Sequence, residues 1–182
     1  MKFLLLVIVC FFVLSCSDES KRNDILNRAG ELELAWGSLD TECSGLLDTM
    51  KNVINLWVND SLPDSIPKPD MRAFMRSDSL KKILTVSVTD LQNQFVAYEK
   101  KVIDVKNNLL SFLSWKLLVN NKDIETETAS NDLKKHKSLF KSLSETVRKA
   151  FRVNSSRLTS FRTFIQAVNK AALIDTLQNE QP

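Results

Sequence analysis

Glycine, proline, cysteine and histidine are all scarce here: 182 residues carry 3 Gly, 4 Pro, 3 Cys and 1 His. So few glycines and prolines leave little material for tight turns, which predicts few, long elements. Three cysteines and one histidine leave little for thiolate or imidazole metal sites, or for a disulfide framework. What remains is ordinary for a globular chain, 43% hydrophobic and 26% charged with a formal net charge of +3. That balance excludes a disordered, collagen-like or polytopic membrane protein.

Enzymatic patterns are missing as well. There is no glycine-rich phosphate loop, HExxH, CxxC or nucleophile elbow, and Gly30, Gly37 and Gly45 all fall within one helical pattern. His136 sits in Lys134-Lys135-His136-Lys137 with no adjacent carboxylate to orient it, and reads as an exposed helix residue. Asp60, Asp64, Asp70 and Asp78 lack the glycine that a calcium loop needs and read as caps and solvated loop acids. The expectation is a non-catalytic protein with no metal and no cofactor.

The N-terminus is an address. Lys2 precedes an unbroken apolar run from Phe3 to Leu14, too short to span a bilayer, which takes roughly 20 residues. The run ends in Val13-Leu14-Ser15-Cys16, followed by the polar Ser17-Asp18-Glu19-Ser20. This segment resembles the signal of bacterial lipoproteins, whose lipobox places a small residue before an acylated cysteine. The resemblance covers the signal alone and implies removal of residues 1–15, with Cys16 as the lipidated first residue of the mature protein. Two or three acyl chains, at about 0.8 kcal/mol per buried CH₂, hold such a protein on a membrane almost permanently. Ser17 after the cysteine is similar to outer-membrane sorting in enterobacteria, while Ser-Asp-Glu is similar to acidic surface-export signals elsewhere. Both imply the outer membrane, with the domain on the periplasmic face or the cell surface. The mature chain then has 167 residues with Cys43 its only unmodified cysteine, so it can form no intramolecular disulfide.

Beyond a polar tether at residues 16–22, residues 23–182 read as a single helical-bundle domain written in heptads. Ile25, Ala29, Leu32, Trp36, Leu39, Cys43, Leu46, Met50, Val53 and Trp57 follow steps of four and three. That is the seam of a long helix packed lengthwise on others. Cys43 on this seam reads as a small buried hydrophobe, and Trp36, Trp57 and Trp115 read as core. A connector at residues 59–70 contains Pro63, Pro67 and Pro69, and Met71–Arg76 reads as a short helical piece. A second seam runs through Val88, Leu91, Phe95, Tyr98, Val102, Val105, Leu109 and Phe112. A second row, Val96, Ile103, Leu110 and Leu117, predicts a face wide enough for two neighbours and the best-buried helix of the bundle. After Asn120-Asn121-Lys122-Asp123, a capped restart at Ser130-Asn131-Asp132 begins the third seam, from Phe140 to Ala172. Its step through Asn154 is four plus four, a local departure from the heptad that marks the place for a bend or break. The fold expected is all-α: an elongated antiparallel bundle of three long helices with coiled-coil-like packing, or four if the last breaks near Asn154.

Two surfaces stand out. From Cys16 to Asp90 there are 9 basic and 13 acidic residues, and from Leu91 onward 15 basic and 9 acidic. At 100° per residue, Lys134, Lys137, Lys141, Arg148 and Arg152 fall within an arc of roughly 60°, forming an outward basic stripe. The stripe is either a solvated flank in loose register with acids such as Glu33 and Asp40, or a contact for lipid head groups, lipopolysaccharide, peptidoglycan or an acidic protein. Export argues against nucleic acid. On the first helix, Leu26, Gly30, Leu34 and Gly37 cluster away from the seam. They serve either a second neighbour within the bundle or an interface with another protein or another copy. The expected role is protein–protein interaction in the cell envelope, of an accessory, exclusion or immunity type. The alternative is structural or adhesive binding of a polyanion.

Overall fold

A computed structural model describes residues 2–58 and 78–179, with side chains described at 18–55, 78–79, 82–83, 85–167 and 170, so Val168 and Ala172 of the third seam lie outside them. Connector 59–70 and the helical piece expected at 71–76 lie outside the described residues, as do the side chains of Cys16 and Trp57. Three helices account for nearly everything described: α1 (Lys2–Val58), α2 (Asp78–Asn120) and α3 (Thr126–Asn179). No strand occurs among the described residues, and the chain is an all-α bundle. The described residues include no helix long and apolar enough to cross a membrane.

The α1 seam is buried at every described position from Ile25 to Val53, with Ala29, Trp36, Leu39, Cys43 and Met50 fully enclosed. Cys43 therefore packs as a hydrophobe, in no disulfide. Along α2, Leu91, Tyr98, Val102, Val105 and Phe112 are buried as their spacing predicts. The second row is not. Val96, Ile103, Leu110 and Leu117 are all exposed, Leu110 at 62% and Leu117 at 59%. The reason is angular: Leu110 and Phe112, two residues apart, point roughly 160° apart around the helix, so the row faces away from the core. Two apolar rows on one helix do not make one wide buried face when they point in nearly opposite directions.

The helix α3 runs unbroken through Asn154, which excludes the four-helix alternative. Asn154 stays within the helix because its Nδ2 donates to the carbonyl of Ala150 at 2.8 Å, one turn back. The restart also comes earlier than Ser130, at Thr126, where the amide of Ala129 donates to the carbonyl of Glu125. Ala129 and Leu133 are buried there, so this added turn belongs to the core.

The described residues divide into two compact units. The first combines α1 up to Glu42, α2 from Ile103 and α3 up to Thr146. Within it, Arg22 meets Thr126 and Trp36 meets Phe140 at the same offset of 104 residues, so α1 and α3 run parallel. Arg22 also meets Val119 and Glu33 meets Lys116, which sets α2 antiparallel to α1. The second unit combines α1 from Cys43, α2 up to Val102 and α3 from Val147. Its core is built from Met50, Val53, Leu91, Tyr98, Leu158, Phe161 and Ile165.

Candidate interaction surface

The glycine-bearing face of α1 is open. A Cβ built on Gly30, Gly37 or Gly45 meets nothing within 4 Å, so no described residue of another helix packs closely at these points. Leu34, between the first two glycines, is 78% exposed, while Leu26 is half-buried. Thr41 and Thr49 donate their hydroxyls to the carbonyls of Gly37 and Gly45 at 2.9 and 2.8 Å, satisfying those groups within the helix. Each mid-helix glycine costs about 1 kcal/mol of helix stability relative to Ala. Among the described residues, no contact at the missing Cβ offsets that cost.

The exposed α2 row supplies a second apolar face in the first unit, through Ile103, Leu110 and Leu117, with Leu118 beside it. Both faces lack polar groups arranged for chemistry. They present what one helix needs to lie against another, namely regularly spaced apolar side chains and, on α1, room for close backbone approach.

The basic residues divide between the units. Lys134 and Lys141 are exposed and Lys137 is half-exposed in the first; Arg148 and Arg152 are exposed in the second. Lys134 donates to Asn131, whereas Lys137, Lys141, Arg148 and Arg152 form no ion pair with a described residue. Glu33, expected to balance the stripe, is instead paired with Lys116 of α2.

Several features were not visible in the spacing. Arg22, assigned by sequence to a tether, is buried within a helix that runs continuously through residues 16–22. Its guanidinium donates to the carbonyls of Val119 and Ile124 at 2.9 and 3.0 Å and to Thr126 Oγ1 at 3.1 Å. These acceptors are the last turn of α2, the connector and the first residue of α3. The cation also lies at the negative end of the α2 dipole. Lys122 takes a left-handed φ of 66°, and the amides of Lys122 and Asp123 donate to the carbonyls of Val119 and Leu118. This two-bond helix stop is one that glycine usually makes.

His136 is half-buried, not exposed as its lysine-rich surroundings suggested. Its ring lies 5.3 Å from Phe112 and 5.0 Å from Trp115. Burial pulls its pKa below the usual 6.5; Asp132 opposes the shift and Lys135 adds to it. The indole nitrogens of Trp36 and Trp115 find no hydrogen-bond partner among the described residues, consistent with core packing over a ligand cage.

Grooves among the described residues occur in both units. One of about 350 Å³ in the second unit is lined by Asp90, Arg157 and Phe161, with Arg157 paired to Asp90 at 3.0 Å. One of about 690 Å³ in the first lies between residues 18–28 of α1 and the start of α3, lined by Asp18, Lys21, Asp24 and Glu127. Neither gathers a set of metal ligands, and no group of metal-binding side chains occurs among the described residues. No family model, curated protein or solved structure matches this chain.

Proposed function

We propose that this chain is a bacterial lipoprotein, anchored through a lipid on Cys16 in the outer membrane, whose non-catalytic bundle binds another protein of the cell envelope. The observation that carries this reading is the open face of α1, where Leu34 stands 78% exposed between two glycines with free space around them. Burying exposed leucine against a partner helix contributes on the order of 1.5–3 kcal/mol, and the glycines let that helix come close. Such a surface supports an accessory, exclusion or immunity-type role in this reading.

The test is a photo-crosslinking residue placed at Leu34 in intact cells. A discrete adduct, kept in high salt and lost with Gly30→Leu and Gly37→Leu, supports the reading. Absence of any adduct at Leu34 and Leu110 in membranes that contain the protein sinks it. Replacing Cys16 with Ala should release the protein from membranes and abolish palmitate labelling.

Binding of a polyanion is the second reading, favoured by Lys137 and Lys141 having no acidic partner among the described residues. Such binding weakens steeply with salt, whereas an apolar helix contact does not. Charge reversal at Lys137, Lys141 and Arg148 should then abolish salt-sensitive envelope binding.

A further inference from the structure

We propose that the turn between α2 and α3 is the face this protein sets against the bilayer, and that Arg22 clamps it there. The proposal rests on lipidation of Cys16 as inferred above. The helix α1 is continuous through residues 16–22, so no irregular segment separates the acylation site from the bundle. Six residues at 1.5 Å each place Arg22 only about 9 Å along the axis from Cys16. At that level the buried guanidinium holds Val119, Ile124 and Thr126 by three hydrogen bonds across 97 to 104 residues of sequence. One turn nearer the anchor, Glu19 pairs with Lys122, the left-handed residue of the turn, at 3.1 Å.

The lipidated residue and the turn are therefore one rigid piece. Swinging the first unit about its anchor would require unwinding the helical stretch between Cys16 and Glu19, because beyond it the Glu19 pair and the charge-assisted bonds of Arg22 hold α1 to the turn. The consequence is a mount in place of a flexible leash: α1 leaves the bilayer in a fixed direction, and its open glycine face is carried at a fixed height. The turn does not reach the membrane by charge attraction, because Asp123 and Glu125 are exposed beside Lys122. The occupant is the bilayer surface itself, held by the acyl chains and indifferent to anionic lipid.

The test uses the full lipidated chain with Cys43→Ala, spin-labelled at Glu125→Cys or Ser142→Cys, floated in phosphatidylcholine vesicles carrying a nickel-chelating head group. These positions, just before the start of α3 and about 17 residues further on, are separated by roughly 25 Å along its axis, so relaxation by nickel should be about threefold stronger or more at 125 than at 142. Adding phosphatidylglycerol should leave the ratio unchanged. Inserting Gly-Ser-Gly-Ser-Gly-Ser between Ser17 and Asp18 leaves Arg22 and the bundle intact, and should bring the two positions toward equality. Equal relaxation in the parent protein, or a ratio unmoved by the insertion, overturns the mount. Failure of the parent protein to float with the vesicles would overturn the lipoprotein reading instead.

Discussion

The two units are built from the same three helices yet are held in different ways. The first is fixed by large rings and a buried cation: Trp36 meets Phe140 edge-on at 4.9 Å, Phe112, Trp115 and His136 stack beside them, and Arg22 ties all three helices at one end. In the second, most of the core is aliphatic, with a buried amide at Asn154 where the heptad slips. The difference teaches where specificity comes from. A ring cluster and a multiply bonded guanidinium define one packing geometry, whereas a core that is mostly aliphatic around Tyr98 and Phe161 tolerates more sliding, which the buried polar groups of Tyr98 and Asn154 discourage.

The largest expected effect follows from the first of these. Trp36 is fully buried, and its removal as Trp36→Ala should cost about 3–5 kcal/mol, the range for deleting a large core aromatic. Urea unfolding followed by circular dichroism measures it. A cost below about 1 kcal/mol would show that the aromatic cluster does not hold the first unit.

How much of this was legible depended on whether a residue's role was periodic. The seams of α1 and α2 could be read because burial on a helix repeats every 3.5 residues, and each described residue from Ile25 to Val53 on that seam is buried. The Ile103–Leu110–Leu117 row misled for the same reason: its period is real, but period alone does not say which face meets a neighbour. Arg22 was illegible because its acceptors lie about a hundred residues away and are backbone carbonyls, which any residue supplies. His136 was misjudged because adjacent lysines in sequence point away from one another on a helix. On the candidate surface, the glycine spacing was plain, but its openness became visible only with coordinates.

A smaller effect, opposite in sign, is expected in the second unit. Asn154 is 3% exposed and its Oδ1 has no hydrogen-bond partner among the described residues. Leaving an acceptor buried and unsatisfied costs about 1–3 kcal/mol, so Asn154→Leu should stabilise the protein by about 1 kcal/mol. The expected penalty is lost uniqueness of register, seen as broader amide resonances for α3. If the leucine variant is less stable than the parent, the amide is bonded in solution and the contrast between the two cores narrows.

The smallest effect concerns the one ring of the first unit that titrates. Burial lowers the pKa of folded His136 below 6.5, so between the two values the unfolded chain takes up a proton that the folded chain refuses. Stability from this site is therefore complete above about pH 6.5 and is lost as pH falls through the folded pKa. Burial is the main cause of that shift; of the charged groups, Asp132, four residues earlier, opposes it and Lys135, the preceding residue, adds to it. His136→Phe retains a ring against Phe112 and Trp115 but cannot charge. Thermal midpoints of the parent should fall from pH 7.5 to pH 5.5 by more than those of the variant. If both fall together, the dependence belongs to carboxylates elsewhere, and the aromatic cluster tolerates a cation that its packing should exclude.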